Sequence, residues 1–571
     1  MKKVVGIILL VFMIVACGVD KEPESQETNF KDLIVYQIYP RSFKDTNGDG
    51  IGDIQGIIEE LDYIESLGVN AVWLNPIYDS PNYDNGYDVS DYRGISSQYG
   101  TMEDFDRMID EMHKRGIKLV MDIVVNHSSS EHQWFKESRS SRENPYRDYY
   151  HWWPAEKGTP PYRFSLFDSK GDAWKYDSTT NAYYLHYFAE QQPDLNWSNP
   201  KLQQEVIDIL EFWAKKGVDG FRLDAFGFAA KDTSFPEFPK GYEKDFMKYY
   251  SMQAGIHDYL KLMNEKVFSK YHVFSVAEGA GNSFEDAHNL VDEDRNELSM
   301  AYAFDGVDLP KRKDYSLKLL KETFSKWDAE FGEKGWLSIF LSNHDQSRMV
   351  SRFADDSGEF RDLSTKMLNT FILSMRGTPY VYYGDELGMT NIYFDSIEQY
   401  DDIAAKNGYQ KVLNEGGDVQ AFLDEQKKFG RDNGRTPMQW NDSENAGFTS
   451  GKPWLPVNSN KTIINVEAEN ANQNSVLNHF RKLTKLRKEN PVLVYGKYQL
   501  INPENPSIYA YTREWKGEKV LVLLNFDKNQ AKIDLSGFEL KDVLINNYSS
   551  FKDEGELMPY QGVIIKIADK Q

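Results

Sequence analysis

The sequence predicts an α/β fold: a closed (β/α)8 barrel with a small inserted domain after its third strand and a C-terminal antiparallel β-sandwich. Three observations lead there. Short apolar runs alternate with amphipathic helical stretches from Phe30 to about Asn490; a polar, aromatic-rich stretch from His127 to Trp197 interrupts that alternation; and after Asn490 only strand-like runs separated by turns follow. Strand–helix alternation gives a parallel sheet, and about eight repeats close it into a barrel.

Lys2 and Lys3 precede an apolar run from Val4 to Ala16, a charged start and a core too short to span a bilayer comfortably. The run ends Ile14-Val15-Ala16-Cys17-Gly18, which resembles a bacterial lipoprotein signal. That resemblance implies a lipid on Cys17 and an exported, membrane-anchored protein, periplasmic or at the cell surface. Cys17 is the only cysteine, so no disulfide forms within the chain. The expected division is a signal over 1–17, a flexible tether over 18–29, the barrel over 30–127 and 198–490, the insert over 128–197, and the C-terminal domain over 491–571.

Expected barrel strands are Ile34–Tyr39, Ala71–Leu74, Leu119–Val125, Gly220–Leu223, Val273–Val276, Met300–Phe304, Ser338–Leu341 and Tyr380–Tyr382, rich in β-branched and aromatic residues as buried parallel strands are. Expected helices include Ile57–Leu67, Met102–Lys114 and Leu202–Lys215. Each is followed by a glycine suited to a C-cap: Gly68, Gly116 and Gly217. The insert is too long for an ordinary loop. Runs at Ser507–Arg513, Lys519–Asn525 and Gly562–Ile567 begin the C-terminal sheet.

The chain's 571 residues are 40 % hydrophobic and 27 % charged, a folded-protein composition, and net charge is −23. No long run of Lys or Arg is present, which disfavours a nucleic-acid partner. Aromatics at 14 % mostly fill a large core, with some rings free to face a sugar.

In a barrel, reactive groups sit at the C-terminal ends of strands. Those ends carry Asn126 and His127, Asp224, Glu278, and Asn343, His344 and Asp345. A single strand-end Asp is often just a helix cap. Three carboxylates and two histidines converging from four strands suit glycoside hydrolysis, which needs an acid for the leaving oxygen and a second carboxylate. Arg222 lies two residues before Asp224 and faces the same side. It is expected to lower the Asp224 pKa and keep it ionised, or else to form a structural ion pair.

The motifs Asp122-Ile-Val-Val-Asn126-His127, Gly220-Phe-Arg222-Leu-Asp224-Ala225, Ala277-Glu278-Gly279 and Ser342-Asn-His344-Asp345-Gln resemble those of glycoside hydrolase family 13, the α-amylase family. Tyr36-Gln-Ile-Tyr-Pro-Arg41-Ser-Phe, Gly86-Tyr87-Asp88, Gln192-Pro-Asp194-Leu-Asn196-Trp197 and Arg431-Asp-Asn-Gly-Arg435-Thr-Pro-Met-Gln-Trp440 are similar to its oligo-1,6-glucosidase and α-glucosidase branch. The resemblance implies a retaining mechanism with Asp224 as nucleophile, Glu278 as general acid/base and Asp345 as the third acid. It implies a glucose site of Asp88, Tyr87, His127, Phe188, Arg222, His344 and one of Arg431 and Arg435, with Arg431 preferred. Such a pocket takes the non-reducing end of short oligosaccharides. Ala277 stands where relatives often carry Gly. In this branch the residue after the nucleophile tends to be Val in α-1,6 enzymes and Ala or Thr in α-1,4 enzymes, so Ala225 points to α-1,4 bonds.

Asp45-Thr-Asn47-Gly-Asp49-Gly-Ile51-Gly-Asp53 puts oxygen ligands at alternate positions, as Ca2+ requires. The twelfth position is Gly56, not Glu, so this is no EF-hand. The same pattern is the branch's calcium or magnesium site, which implies structural Ca2+ held by Asp45, Asn47, Asp49, Ile51 and Asp53; otherwise the loop is a solvated acidic turn. Other readings are a transglycosylase or sucrose isomerase, an endo-acting amylase, and a non-catalytic transporter-associated relative, the last disfavoured because all three acids are present.

Overall fold

The computed structural model describes residues 29–168, 170–552 and 554–570. Cys17, the signal and all of the tether before Asn29 lie outside the described residues.

Eight strands close the barrel: Val35–Ile38, Ala71–Leu74, Lys118–Val124, Gly220–Asp224, Phe274–Ala277, Met300–Tyr302, Leu337–Ile339 and Thr378–Tyr382. Each pairs in parallel with the next, and the last closes on the first with Val35 opposite Tyr380. Nearly every strand residue is buried, inside the barrel or beneath helices, which is why the strands read as continuous apolar runs. The barrel interior is filled by Trp73, Tyr302 and Tyr380, whose rings lie 5.1–6.1 Å apart.

The helices Met102–Lys114 and Pro200–Lys215 end where their glycines predict, with Gly116 and Gly217 at φ +69° and +97°. The expected helix Ile57–Leu67 is instead two, Ile54–Glu59 and Leu61–Ser66. Two local anchors explain this. Asp53 caps the first helix by accepting from Gly56 N–H, and Glu60, at the break, turns its carboxylate to Lys44.

Between the third and fourth strands the chain forms an antiparallel sheet of Trp152–Pro154, Ala182–Leu185 and Trp174–Asp177. Bridges of His127 with Asp194 and of Tyr150 with Leu195 fasten it to the barrel mouth. After the eighth strand, the paired helices Ile403–Asn414 and Val419–Phe429 reach back to it: Asn407 Nδ2 donates to the Phe167 carbonyl at 2.6 Å.

The C-terminal region is a five-stranded antiparallel sheet, ordered Lys497–Ile501, Ile508–Trp515, Glu518–Asn525, Gly562–Asp569, Phe538–Asn546. Its second layer is only a ribbon of Ala531–Lys532 with Glu556–Leu557, so the expected sandwich is lopsided. Alternation explains why that suffices. Ile508, Ala510, Leu521 and Leu523 face the ribbon, while Tyr509, Tyr511, Val520 and Val522 join the barrel core. The barrel helix Arg361–Ser374 covers that second face, with Ser374 Oγ 2.6 Å from Tyr511 Oη.

Candidate active site

Arg222 organises the barrel mouth. It projects from the fourth strand, is fully buried, and its guanidinium is shared by three carboxylates. Nη1 donates to Asp122 at 2.8 Å and to Asp224 at 2.6 Å; Nη2 lies 2.7 Å from Glu278 Oε1. Asp224 ends its strand and Glu278 directly follows the fifth, so parallel pairing sets them side by side. Asp224 is followed by Ala225 at φ +43°, a left-handed conformation unusual for a residue with a side chain. That turn aims the Ala225 N–H at Glu278 Oε2, 2.8 Å away.

Arg222 lowers the Asp224 pKa as expected, but it does not prevail. Burial raises it, and the neighbouring Asp122 and Asp345 charges add to burial; together they outweigh Arg222. Burial likewise pushes Glu278 up to about 7, against Arg222 and with the charges of Asp224 and Asp345. One guanidinium does not neutralise three buried carboxylates, so both acids are held above their ordinary values and Glu278 keeps its proton toward neutrality. That proton is what a general acid needs.

Asp345 has the opposite environment. Arg431 Nη1 and Arg435 Nη2 donate to its Oδ1 at 2.9 and 3.0 Å, and His344 Nε2 is 3.2 Å from Oδ2. Although burial opposes it, His344 and the two arginines hold its carboxyl well below the usual range, so Asp345 is ionised. Arg435 is buried and also donates to the His344 carbonyl, whereas Arg431 keeps some exposure and stacks over the Phe167 ring. Both arginines grip Asp345, and Arg431 is the more exposed of the two.

The remaining expected residues gather here. Tyr87 Oη bonds Asp122 at 2.9 Å and lies 2.8 Å from His344 Nε2, and the two rings stack. Gln37 Nε2, a donor, is 2.9 Å from His344 Nδ1, which leaves the proton on Nε2 facing Tyr87 and Asp345. His127 is buried and neutral, burial having pushed its pKa down to about 3, with Nε2 3.0 Å from the Tyr87 carbonyl. Phe188 packs on His127 with ring centres 5.0 Å apart. Asp88 is fully buried; its Oδ1 accepts from Ser80 and from Asp84 N–H, and its Oδ2 has no partner among the described residues. A sugar hydroxyl is the kind of donor such an oxygen requires.

Several members were absent from the sequence-derived set. Asp122 lay inside a quoted motif but belongs to mid-strand, where the strand-end rule did not look. Gln37 and Asn75 orient His344 and Tyr87. Asp84 accepts from Gln192 at 3.1 Å. Asp402 accepts from Arg431 through Nε at 3.1 Å and through Nη2, and caps the helix Ile403–Asn414. Lys231 is buried against Asp194, Asn126 and the Phe228 carbonyl. No sequence spacing marks these partners.

The Asp45–Asp53 loop is closed by its own amides. Asp45 Oδ1 accepts from Asn47 and Gly48, its Oδ2 from Gly50 and Thr449, and Asp53 accepts from Thr46 and Gly56. Gly48 and Gly50 take φ +83° and +90° to allow the turn. The side-chain oxygens of Asp45, Asn47, Asp49 and Asp53 are of the kind a hard cation takes, but among the described residues no three acidic or imidazole side chains come together as a metal-binding group.

Residues 37–496 match the alpha amylase catalytic domain, and residues 498–563 match the maltogenic amylase C-terminal domain. The oligo-1,6-glucosidase of Parageobacillus thermoglucosidasius is 48 % identical over 561 residues, covering 94 % of this chain and 99 % of the relative. The crystal structure of isomaltulose synthase from Klebsiella sp. LX3 superposes with a TM-score of 0.92 at 44 % identity, covering 95 % of this chain and 100 % of that one. Trehalulose synthase from Pseudomonas mesoacidophila MX-45 gives 0.91 at 44 %, covering 94 % and 99 %. A barrel with its acids at the strand ends, matched along nearly its whole length, places this chain in the α-amylase family of glycoside hydrolases.

Proposed function

We propose that the chain is a retaining, exo-acting α-glucosidase that removes terminal α-linked glucose from short oligosaccharides. The observation that carries it is the single guanidinium of Arg222 holding Asp224 and Glu278 side by side. Retaining chemistry needs its two carboxyl groups about 5–5.5 Å apart. Glu278 gives its proton to the glycosidic oxygen as the C1–O bond breaks, and an Asp224 oxygen bonds C1. Water then attacks C1, Glu278 takes its proton, and Asp224 is released. Asp345, ionised and anchored by two arginines, accepts hydrogen bonds from glucose hydroxyls; Asp88, His127, His344 and Tyr87 complete the glucose site, and Phe188 supplies an apolar wall. The Arg431–Asp402 and Asn407–Phe167 contacts close the far end, which favours attack at a chain terminus.

Ala225 supports a preference for α-1,4 bonds, whereas the relative from P. thermoglucosidasius is named for α-1,6 bonds. Glucose release from maltose, isomaltose and sucrose tests this. Faster turnover of isomaltose overturns the linkage preference, and no release from any of them overturns the α-glucosidase reading. A second reading, glucosyl transfer or sucrose isomerisation, is favoured by the likeness to the two sucrose-isomer synthases. A dominant transfer product from sucrose would establish it.

The oxygen-donor loop supports structural Ca2+, or Mg2+, held by Asp45, Asn47, Asp49, Ile51 and Asp53; the ion supplies charge that pins the loop beside the mouth. The run ending in Cys17 supports export and lipid anchoring at the periplasmic or outer surface, with the lipid as the membrane contact. Metabolic labelling with a radioactive fatty acid, lost in Cys17→Ser, tests the anchor.

A further inference from the structure

Lys231 is a buried cation that the proposed reaction does not use. It follows the short helical turn Phe226–Phe228, and its side chain is 1 % exposed. The ammonium is met by the Phe228 carbonyl at 2.7 Å, Asn126 Oδ1 at 3.0 Å and Asp194 Oδ2 at 3.3 Å. Asn126 follows the third strand, Asp194 belongs to the insert, and Phe228 to the turn after the nucleophile, so one charge joins three segments at the barrel mouth. An ammonium taken out of water needs such acceptors on every hydrogen.

An ammonium only donates. The Asn126 atom it touches is therefore the amide oxygen, and the amide nitrogen is turned the other way, 3.1 Å from His127 Nδ1. That nitrogen also only donates, so Nδ1 is a bare acceptor. The His127 ring is neutral: burial pushes its pKa down to about 3, and the Lys231 charge adds to burial. Its one proton is left on Nε2, where the Tyr87 carbonyl accepts at 3.0 Å. Gln192 Nε2 lies 3.2 Å from the same nitrogen, but its two hydrogens have Asp84 Oδ2 and the Tyr87 carbonyl as acceptors. Which nitrogen of His127 carries the proton is thus set two hydrogen bonds away, at Lys231.

Building on the α-glucosidase reading, which puts His127 in the glucose site, we propose that Lys231 is a positioning residue for that site: through the Asn126 amide it fixes His127 as the Nε2–H tautomer, so that the ring meets a sugar hydroxyl as a donor. Without Lys231 the amide is free to turn over, offer its oxygen to Nδ1 and draw the proton there. Nε2 then becomes an acceptor facing the Tyr87 carbonyl, another acceptor.

The test uses the intact protein, isotopically labelled at its histidine ring nitrogens. Long-range proton–nitrogen spectra distinguish bare from protonated nitrogens, and the signal lost in His127→Gln identifies His127. The parent should show a protonated Nε2 and a bare Nδ1. In Lys231→Met the proton should shift toward Nδ1, and kcat/KM for maltose should fall about tenfold, the worth of one hydrogen bond to the sugar. Lys231→Arg, which also only donates, should keep the tautomer and recover most of the rate. Because Lys231→Met strands the buried Asp194 charge as well, Asn126→Asp gives a second route. It still accepts from Lys231 but has no hydrogen for Nδ1, so the proton should move to Nδ1 with a similar loss of kcat/KM. A parent with its proton on Nδ1, or a tautomer unmoved in these variants, overturns the proposal; a fall in rate with the tautomer unmoved would mean that Lys231 serves only the fold. No glucose from maltose, isomaltose or sucrose, with the tautomers as expected, overturns the α-glucosidase reading and leaves the hold of Lys231 on His127 standing.

Discussion

Asp224 and Glu278 divide one guanidinium between them, and their chemistry depends on how three buried negative charges share it. Asp224→Ala and Glu278→Gln should each lower kcat by at least about a thousandfold while the unfolding midpoint stays within a few degrees. Substantial residual turnover in either variant would reassign its role. The pair also sets the pH dependence. As pH falls, the Asp224–Glu278 pair takes up a second proton and the nucleophile is lost. As pH rises past about 7, Glu278 loses the proton it must donate. A bell-shaped kcat/KM profile follows, and Glu278→Gln should abolish its alkaline limb. Ala225 gives a separate test. Its left-handed backbone suits glycine and penalises a β-branched side chain, so Ala225→Val should cost about 1–3 kcal/mol of stability in denaturant unfolding. It should also loosen the N–H that holds Glu278.

At the scale of elements, the helix Ile403–Asn414 is tied to the site through Asp402, and the Asp-rich loop is tied to Thr449 and Phe448. Asp402 has two tasks, capping that helix and clamping Arg431. Asn caps as well as Asp but carries no charge, so Asp402→Asn separates them. The expected outcome is a several-fold fall in kcat/KM for maltose with a melting temperature within a degree or two. An equal loss of stability would mean that Asp402 acts only on the fold. In the loop, Asp49→Ala should lower the melting temperature more than it alters kcat, and added Ca2+ should stabilise the parent protein but not this variant. A parent protein indifferent to both Ca2+ and a chelator would remove the ion from the loop. The loop's pattern was legible because its oxygen-bearing side chains are close together in sequence. The break at Glu60 was not, because it depends on Lys44 from a different segment.

For the whole molecule, the inserted sheet and the paired helices after the eighth strand meet over the polar side of the mouth through Asn407 and Phe167. That closure predicts attack at chain ends. Incubated with soluble starch, the enzyme should release glucose while iodine staining persists; early loss of staining would show endo cleavage. The C-terminal sheet contributes no side chain to the site described here. Its two-faced alternation instead buries one face on the barrel helix Arg361–Ser374, which ties that helix to the rest of the molecule.

The sequence alone determined what local periodicity and strand ends encode. The eight strands, the helix-ending glycines, and Asp224, Glu278, His127 and Asp345 were readable because a parallel strand buried on both sides must be apolar, and its last residue is where polarity resumes. It also determined the order of the parts. Only the tertiary structure decided which charges meet. Asp122, Asp84, Gln37 and Asp402 come from different segments, and nothing in their own neighbourhoods marks them. It also decided that Asp224 rises on balance despite the lowering effect of Arg222, because a pKa answers to the full set of buried charges and the loss of water around them.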